Sequence, residues 1–330
     1  MTENHTLTSI DGIRVGHAQD DAAVTGCTVV LCEKGAVAGV DQRGGGPGTR
    51  ETDALRPMHL VDKAHAIMLA GGSAFGLDAA SGAMRYLEEK KAGFNVGVAR
   101  VPIVPAAILF DLGIGSAKRR PDAEMGYQAC LNASREPVAE GSLGAGTGCT
   151  VGKILGIGQA VKGGIGSAAM DIGGGVRVAA LIAVNPFGDV VDPHTGEIVA
   201  GARSLRKGPI KIGKGRFADT LEVMKSQVGR TVFGAAQREN TIIGVVATNA
   251  QLDKSGANKM AAMAMNGLAR STRPANTMLD GDTLFTLATG RRKADVNIVG
   301  AFAAEVVAQA VIRAVQTAWG LGGVPALQDL

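Results

Sequence analysis

Aromatic residues are scarce in this chain: eight Phe, two Tyr and one Trp among 330 residues, 3% in all. A protein that grips single-stranded nucleic acid needs stacking platforms beside a cationic groove. The net charge is only +4, and no Lys/Arg block is longer than the three residues of Arg291-Arg292-Lys293, which read most simply as a solvated loop. Nucleic acid is therefore not an expected partner. Cysteine is also rare. Cys27, Cys32, Cys130 and Cys149 have neither C-x-x-C spacing nor accompanying histidines, and read as buried reduced thiols of a cytoplasmic protein. The histidines are dispersed: His17, His59, His65 and His194 make no i, i+4 pair and no H-E-x-x-H, so no metal site is expected. His194, in Asp192-Pro193-His194-Thr195-Gly196, reads as a turn residue. Apolar runs are broken by glycine or charge before about 18 residues, which argues against a membrane span. Met1-Thr2-Glu3-Asn4-His5 lacks a basic segment followed by an apolar one, so no signal peptide is expected.

What the chain has in quantity is apolar residues, 46%, and glycine, 48 positions. With 19% charged residues this is the composition of a globular protein, and the length is enough to bury a large core or even to form two domains. The glycines follow no period, which excludes collagen and solenoid architectures. They suit strand ends, loops and segments that approach one another closely. Apolar runs at 28–31, 66–70, 178–184 and 242–247 read as buried strands. Leu77, Ala80, Met84 and Leu87 are spaced for one helix face, with Ser73 as a possible cap. Met260, Ala264, Gly267 and Leu268 repeat that spacing after Asp253, and residues 298–318 form a long Ala/Val-rich helix ending before Gly320. Buried strands with helices outside them predict a layered α/β architecture.

Two motifs attract attention and fail on spacing. Gly146-Thr147-Gly148-Cys149-Thr150-Val151-Gly152-Lys153 looks like a phosphate loop. Thr147 stands where the first glycine is required, and Ile154 replaces the Ser/Thr. Ser73 in Gly72-Ser73-Ala74-Phe75-Gly76 misses the G-x-S-x-G elbow by one position. Neither a nucleotide nor any other cofactor is expected.

The informative feature is Asn240-Thr241 at the head of the apolar run Ile242-Ile243-Gly244-Val245-Val246-Ala247. Cutting the bond between Asn240 and Thr241 would leave a hydroxyl and a free α-amine on one residue. An α-amine has an ordinary pKa of about 7.7–8.0, close enough to neutrality to serve as its own general base. Downstream lies Thr277-Met278-Leu279-Asp280-Gly281-Asp282-Thr283. Carboxylates this close cannot both ionise without cost, so one pKa rises and the pair can pass protons. Taken alone, Asn before a strand and Asp-Gly are ordinary turn chemistry. The D-x-D-x-D-G spacing of a calcium loop is absent.

Together these segments resemble the DmpA-type self-processing aminopeptidases, a family that includes β-peptidyl aminopeptidases. In motif they are nearest to the hydrolases of aminohexanoate (nylon) oligomers. The resemblance runs through Gly44-Gly45-Gly46-Pro47-Gly48-Thr49-Arg50, Leu69-Ala70-Gly71-Gly72-Ser73, Gly144-Ala145-Gly146-Thr147-Gly148, Lys162-Gly163-Gly164-Ile165-Gly166 and Val184-Asn185-Pro186. It implies an α-β-β-α sandwich of the N-terminal-nucleophile-like type. It also implies one domain, 1–330, cut autocatalytically into 1–240 and 241–330, and a homo-oligomer, a tetramer of processed heterodimers. By the same resemblance Thr241 matches the nucleophile, Asp280 and Asp282 the acidic pair, Lys153 a lysine beside the nucleophile, and Asn185 an amide supporting nucleophile or oxyanion. Lys162 reads as structural, although it can be mistaken for that lysine. One departure stands out: Phe110, in Ile108-Leu109-Phe110-Asp111-Leu112, occupies the place of a tyrosine, and Tyr127 is a nearby phenol.

The expected function is hydrolysis of amide bonds in small amino-terminated peptides or amino-acid amides through an acyl-enzyme on Thr241, without metal or cofactor. Alternatives are an acyltransferase, in which an amine intercepts the acyl-enzyme, and an unprocessed, non-catalytic binding protein. The substrate stays open among α-peptides, D-amino-acid esters or amides, β-peptides and ω-amino-acid oligomers.

Overall fold

Segments apolar at every position must be covered on both faces, as at 178–184 and 242–247. A computed structural model, which describes residues 4–206, 211–226 and 240–330, shows how. Of the stretch read for a leader, residues 1–3 lie outside the described residues. The main strands are β1 (Arg14–Asp20), β2 (Thr25–Gln42), β3 (Thr49–Arg50), β4 (Lys63–Ala70), β5 (Ala106–Ile108), β6 (Ile165–Asp171), β7 (Arg177–Asn185), β8 (Thr241–Gln251) and β9 (Thr283–Lys293). They form one nine-stranded sheet in the order β6-β7-β8-β9-β2-β4-β5-β3, with β1 also paired to β2. Pairing is antiparallel except for β8 with β9 and β4 with β5.

β2 joins the two halves of this sheet. Its 18 residues pair with β9 over residues 37–42, with β1 over residues 25–31, and with β4 over residues 27–31 and again at residues 36–37. Between these stretches the register shifts, and Gly35 adopts φ 74°, a conformation that glycine alone takes without strain. The sheet thereby doubles back on itself. Val30, Ile67 and Leu69 from one half pack with Leu181, Ile243, Val245 and Phe285 from the other.

The alternate residues of each half face helices. Ile182, Val184, Ile242, Val246 and Leu284 bury against α3 (Lys254–Ser271) and α4 (Val296–Gln316). Val29, Leu31, Ala66 and Met68 bury against α1 (Ala79–Glu89) and α2 (Ala123–Leu131). The result is an α-β-β-α sandwich. Part of the glycine content follows from it, because a Cβ on Gly267 of α3 would lie 2.0 Å from the Ala304 carbonyl oxygen of α4.

Helices α2, α3 and α4 open on aspartate caps that accept backbone N–H groups: Asp122 from Met125, Asp253 from Gly256 and Asp295 from Asn297. Ser73 is not a cap. It sits at φ 54° at the start of a 3₁₀ turn, Ser73–Asp78, that precedes α1 and has no side-chain cap. Arg291, Arg292 and Lys293 are not a loop but the exposed end of β9. Helix α4 has the length and apolarity of a bilayer-crossing segment, which the reading of interrupted runs did not anticipate. Its Val299, Ala303, Val307, Ala310 and Val311 are buried in the core beside the sheet and α3. All four cysteines are free and buried, and His194 lies in a turn in which Asp192 Oδ1 accepts its N–H.

Candidate active site

Three adjacent strand ends meet at Thr241. It is the first residue of β8 and pairs with Asn185, the last residue of β7. The parallel neighbour β9 begins at Thr283, so Asp280-Gly281-Asp282 arrives at the same edge, with Asn240 bridged to Asp280. The Thr241 hydroxyl donates to the carbonyl oxygen of Asn240, the residue before it. The Gly281 N–H donates to the same carbonyl oxygen at 3.0 Å. Asp282 Oδ1 accepts the Ile242 N–H at 2.7 Å, one residue past the hydroxyl, and Oδ2 accepts the Asn276 N–H at 2.9 Å. Asp280 Oδ2 accepts both the N–H and the hydroxyl of Thr277, at 2.8 and 2.6 Å.

These carboxylates do not form the solvated turn that their sequence suggests in isolation. Asp280 is 2% and Asp282 1% exposed, and burial raises both pKa values. For Asp280 the Thr277 hydrogen bonds and the Lys153 ammonium oppose that rise. For Asp282 burial and repulsion from Asp280 act together and push it up to about 7. The pair is thus poised to hold a proton near neutrality. The Gly44-Gly45-Gly46 segment wraps this turn: Gly46 N–H donates to Asp280 O at 2.9 Å, and Gly45 N–H to Thr277 O at 3.0 Å. A Cβ on Gly44 would lie 2.2 Å from the Asp280 carbonyl oxygen, which accounts for glycine there.

Lys153 reaches the site from the loop after residues 150–151. Its Nζ donates to both the carbonyl oxygen and the Oδ1 of Asn185, at 2.9 Å each. Asn185 Oδ1 also accepts the Thr150 N–H at 3.0 Å, and its Nδ2 donates to the Phe110 carbonyl at 2.9 Å. Phe110 therefore enters the site through its backbone, so the missing phenol does not remove this contact. Tyr127 does not stand in for it. It lies on α2 in the outer layer, with its hydroxyl bonded to Glu89 and the Arg85 guanidinium stacked on its ring. Lys162 is a separate lysine, fully buried, whose Nζ donates to Thr147 O at 2.6 Å.

The residues singled out from the sequence thus converge: Asn240, Thr241, Asp280, Asp282, Asn185 and Lys153. Sequence reasoning missed the Gly281 N–H, the Phe110 carbonyl and Thr150. Only Thr277, a hydroxyl three residues before an aspartate, carried a local signal. One further feature is costly. Asn240 is buried at 2% exposure, and among the described residues neither its Oδ1 nor its Nδ2 has a hydrogen-bond partner. An unpaired buried polar group costs about 1–3 kcal/mol. Thr241 itself is 3% exposed.

A sequence model described as peptidase family S58 matches residues 5–326. An uncharacterized aminopeptidase of Mycobacterium tuberculosis is 41% identical over 355 residues, covering 99% of this chain and 98% of that protein. A 6-aminohexanoate-oligomer endohydrolase of Kocuria sp. (strain KY2) is 30% identical, covering 92% of this chain and 84% of that one. Among solved structures, the L-aminopeptidase D-Ala-esterase/amidase from Ochrobactrum anthropi, described as a variant of the Ntn hydrolase fold, superimposes with a TM-score of 0.71. Its identity is 18%, with 98% of this chain and 91% of that chain covered. A Burkholderia sp. β-aminopeptidase gives a TM-score of 0.68 at 21% identity, with the same coverage of 98% and 91%.

Proposed function

We propose, for a chain that belongs to peptidase family S58 and is a hydrolase of peptide or amide bonds, that Thr241 is the nucleophile of both a self-cleavage and the hydrolytic reaction. The observation that carries this reading is the double engagement of the Asn240 carbonyl, by the Thr241 hydroxyl and by the Gly281 N–H. The attacking oxygen lies against the carbonyl it would attack, and a backbone donor already points at the oxygen where negative charge would develop.

In the first reaction Thr241 Oγ adds to the Asn240 carbonyl carbon and yields its proton to the Asp280/Asp282 pair. The resulting oxyanion rests on the Gly281 N–H. Collapse breaks the C–N bond, the Thr241 nitrogen takes the proton, and an ester on Oγ remains. Water hydrolyses that ester to a carboxylate on Asn240 and a free α-amine on Thr241. Loss of the buried, unpartnered Asn240 side chain from the site favours the cleaved form.

In the mature enzyme the same oxygen attacks a substrate amide, with the new α-amine as general base. The amine product leaves and water releases the acid. Lys153 and Asn185 work electrostatically at this edge: the ammonium holds the Asn185 side chain and lies close enough to lower the Asp280 pKa. The substrates are small amino-terminated peptides or amides. Fragments 1–240 and 241–330 stay together, because β8 and β9 of the second sit between β7 and β2 of the first.

Intact-mass measurement of purified protein tests the cleavage, and N-terminal sequencing of the small fragment should read Thr-Ile-Ile-Gly. Thr241→Ala should give an uncut chain without turnover on a panel of amino-acid p-nitroanilides and aminohexanoate oligomers. A fully active enzyme made only of intact chain, or an active Thr241→Ala variant, would sink the proposal.

A further inference from the structure

Asp111 is a buried carboxylate outside the Thr241 constellation, 4% exposed, with its two oxygens held separately. The Gly72 N–H donates to Oδ1 and the Thr25 hydroxyl to Oδ2, each at 2.7 Å. Burial pushes its pKa up to about 6, against these hydrogen bonds and the nearby Lys162 ammonium. The surrounding backbone is shaped to admit it. A Cβ on Gly71 would lie 2.0 Å from Asp111 Oδ2, and one on Gly148 would lie 2.3 Å from Asp111 Cβ. Two glycine motifs thus converge on one side chain.

The segment of Asp111 itself and the segment of Gly148 both continue to Asn185. One residue back, the Phe110 carbonyl accepts Asn185 Nδ2. Two residues beyond Gly148, the Thr150 N–H donates to Asn185 Oδ1. The loop that carries Gly148 and Thr150 is held from its other side by Lys162 Nζ on the Thr147 carbonyl. Asn185 in turn pairs with Thr241 and receives Lys153.

We propose that Asp111 is a positioning residue: its carboxylate anchors the segment bearing the Phe110 carbonyl to Gly72 and Thr25, while its β-carbon packs against Gly148 of the loop bearing the Thr150 N–H, and so it fixes the Asn185 amide from both ends beside Thr241. The inference rests on the reading of Thr241 as nucleophile. It accounts for a charge kept in the interior, where an apolar residue would cost less to bury. It also separates two effects of substitution. Misplacing Asn185 slows both reactions of Thr241, whereas a purely structural role lowers stability alone.

The experiment compares Asp111→Ala, Asp111→Asn, Thr25→Val and Thr241→Ala. Processing is followed by intact mass, kcat and KM on one p-nitroanilide, and folding by circular dichroism. Asp111→Ala should fold and lose about 10–100-fold in processing rate and kcat, with KM within about twofold of wild type. Asp111→Asn still accepts the Gly72 N–H and can donate to Thr25, and should recover kcat to within about fivefold. A folded Asp111→Ala with wild-type kcat, or one whose loss lies in KM, overturns the inference. If Asp111→Ala does not fold, Thr25→Val decides: kcat about fivefold lower at unchanged KM supports the tie, and unchanged kcat overturns it. An inactive Thr241→Ala beside a fully active Asp111→Ala removes this inference alone. An active Thr241→Ala removes the reading of the nucleophile, and the inference with it.

Discussion

Gly281→Ala adds one methyl group at the most confined point of the site. The new Cβ would lie 2.8 Å from the Gly46 carbonyl oxygen, 2.9 Å from Thr241 Oγ1 and 3.3 Å from Pro47 Cα. Nonbonded carbon contacts are comfortable only from about 3.5 Å, so the nearer neighbours must give by several tenths of an ångström. The Gly46 backbone has little freedom, since its N–H is already bonded to Asp280 O. The Thr241 hydroxyl is the atom that can move, together with the Gly281 N–H that meets the Asn240 carbonyl. Gly281 is not in the left-handed region, so alanine meets a problem of space and not of backbone conformation. Misplacement of a reacting group by about 1 Å costs about 10²-fold in rate, and loss of one oxyanion donor costs about 10²–10³-fold. A partial loss of each predicts processing and kcat about 10²-fold slower, or about 3 kcal/mol in the barrier. The accompanying loss of stability is about 1–3 kcal/mol.

The assay is a time course of intact mass from freshly made precursor, followed by p-nitroanilide turnover of whatever has been cut. Gly158→Ala is the matched control, because nothing lies within 4 Å of a Cβ there. It should process and turn over as wild type does. A Gly281→Ala chain that melts as a folded protein yet processes at the control's rate would refute the placement of the reacting atoms at Gly281.

Further tests address the charges and the packing. Asp280→Asn, Asp282→Asn and Lys153→Ala should each slow processing and turnover by about 10-fold or more while circular dichroism stays native; normal processing in all three rejects their roles. Asp189 accepts the N–H and hydroxyl of Thr220 at 2.8 Å each, and burial pushes its pKa up to about 7. A raised carboxyl contributes fully below the unfolded pKa near 4, and that contribution is lost as pH rises through about 7. Wild type should therefore lose about 2–4 kcal/mol against Asp189→Asn between pH 4 and pH 8 in urea titrations, and a pH-independent difference would contradict the assignment. Gly267→Ala forces α3 away from the Ala304 carbonyl and should lower stability by about 1–3 kcal/mol, read as a lower melting temperature.

The elements of the fold were legible because their signals are local. Apolar runs at 178–184 and 242–247 have only one way to be covered, and Asp253 precedes its helix by one residue. Their arrangement was not legible in this way, since periodicity does not say which sheet a strand joins. The decisive element is β2, whose 18 residues serve both halves around Gly35, and nothing in its composition marks that double use. Ser73 was misread for a related reason: a serine before a helical pattern suggests a cap, but its left-handed backbone and the intervening 3₁₀ turn come from tertiary packing.

Side-chain chemistry in the candidate site could be named in advance because it has a residue identity. Thr241, Asp280 and Asp282 stood out by type and spacing, whereas Lys153 and Asn185 rested on resemblance. Backbone chemistry has no such identity. The Gly281 N–H on the Asn240 carbonyl and the Phe110 carbonyl on the Asn185 amide would read the same with many residues at those positions. The Phe110 carbonyl keeps its bond to the Asn185 amide whatever side chain stands at 110. What constrains position 110 is the location of its carbonyl, and the groups that set that location are its neighbour Asp111 and the glycines packed on it. A substitution that leaves every catalytic candidate in place but enlarges Gly71 or Gly148 should therefore damage the site as surely as removing Asn185.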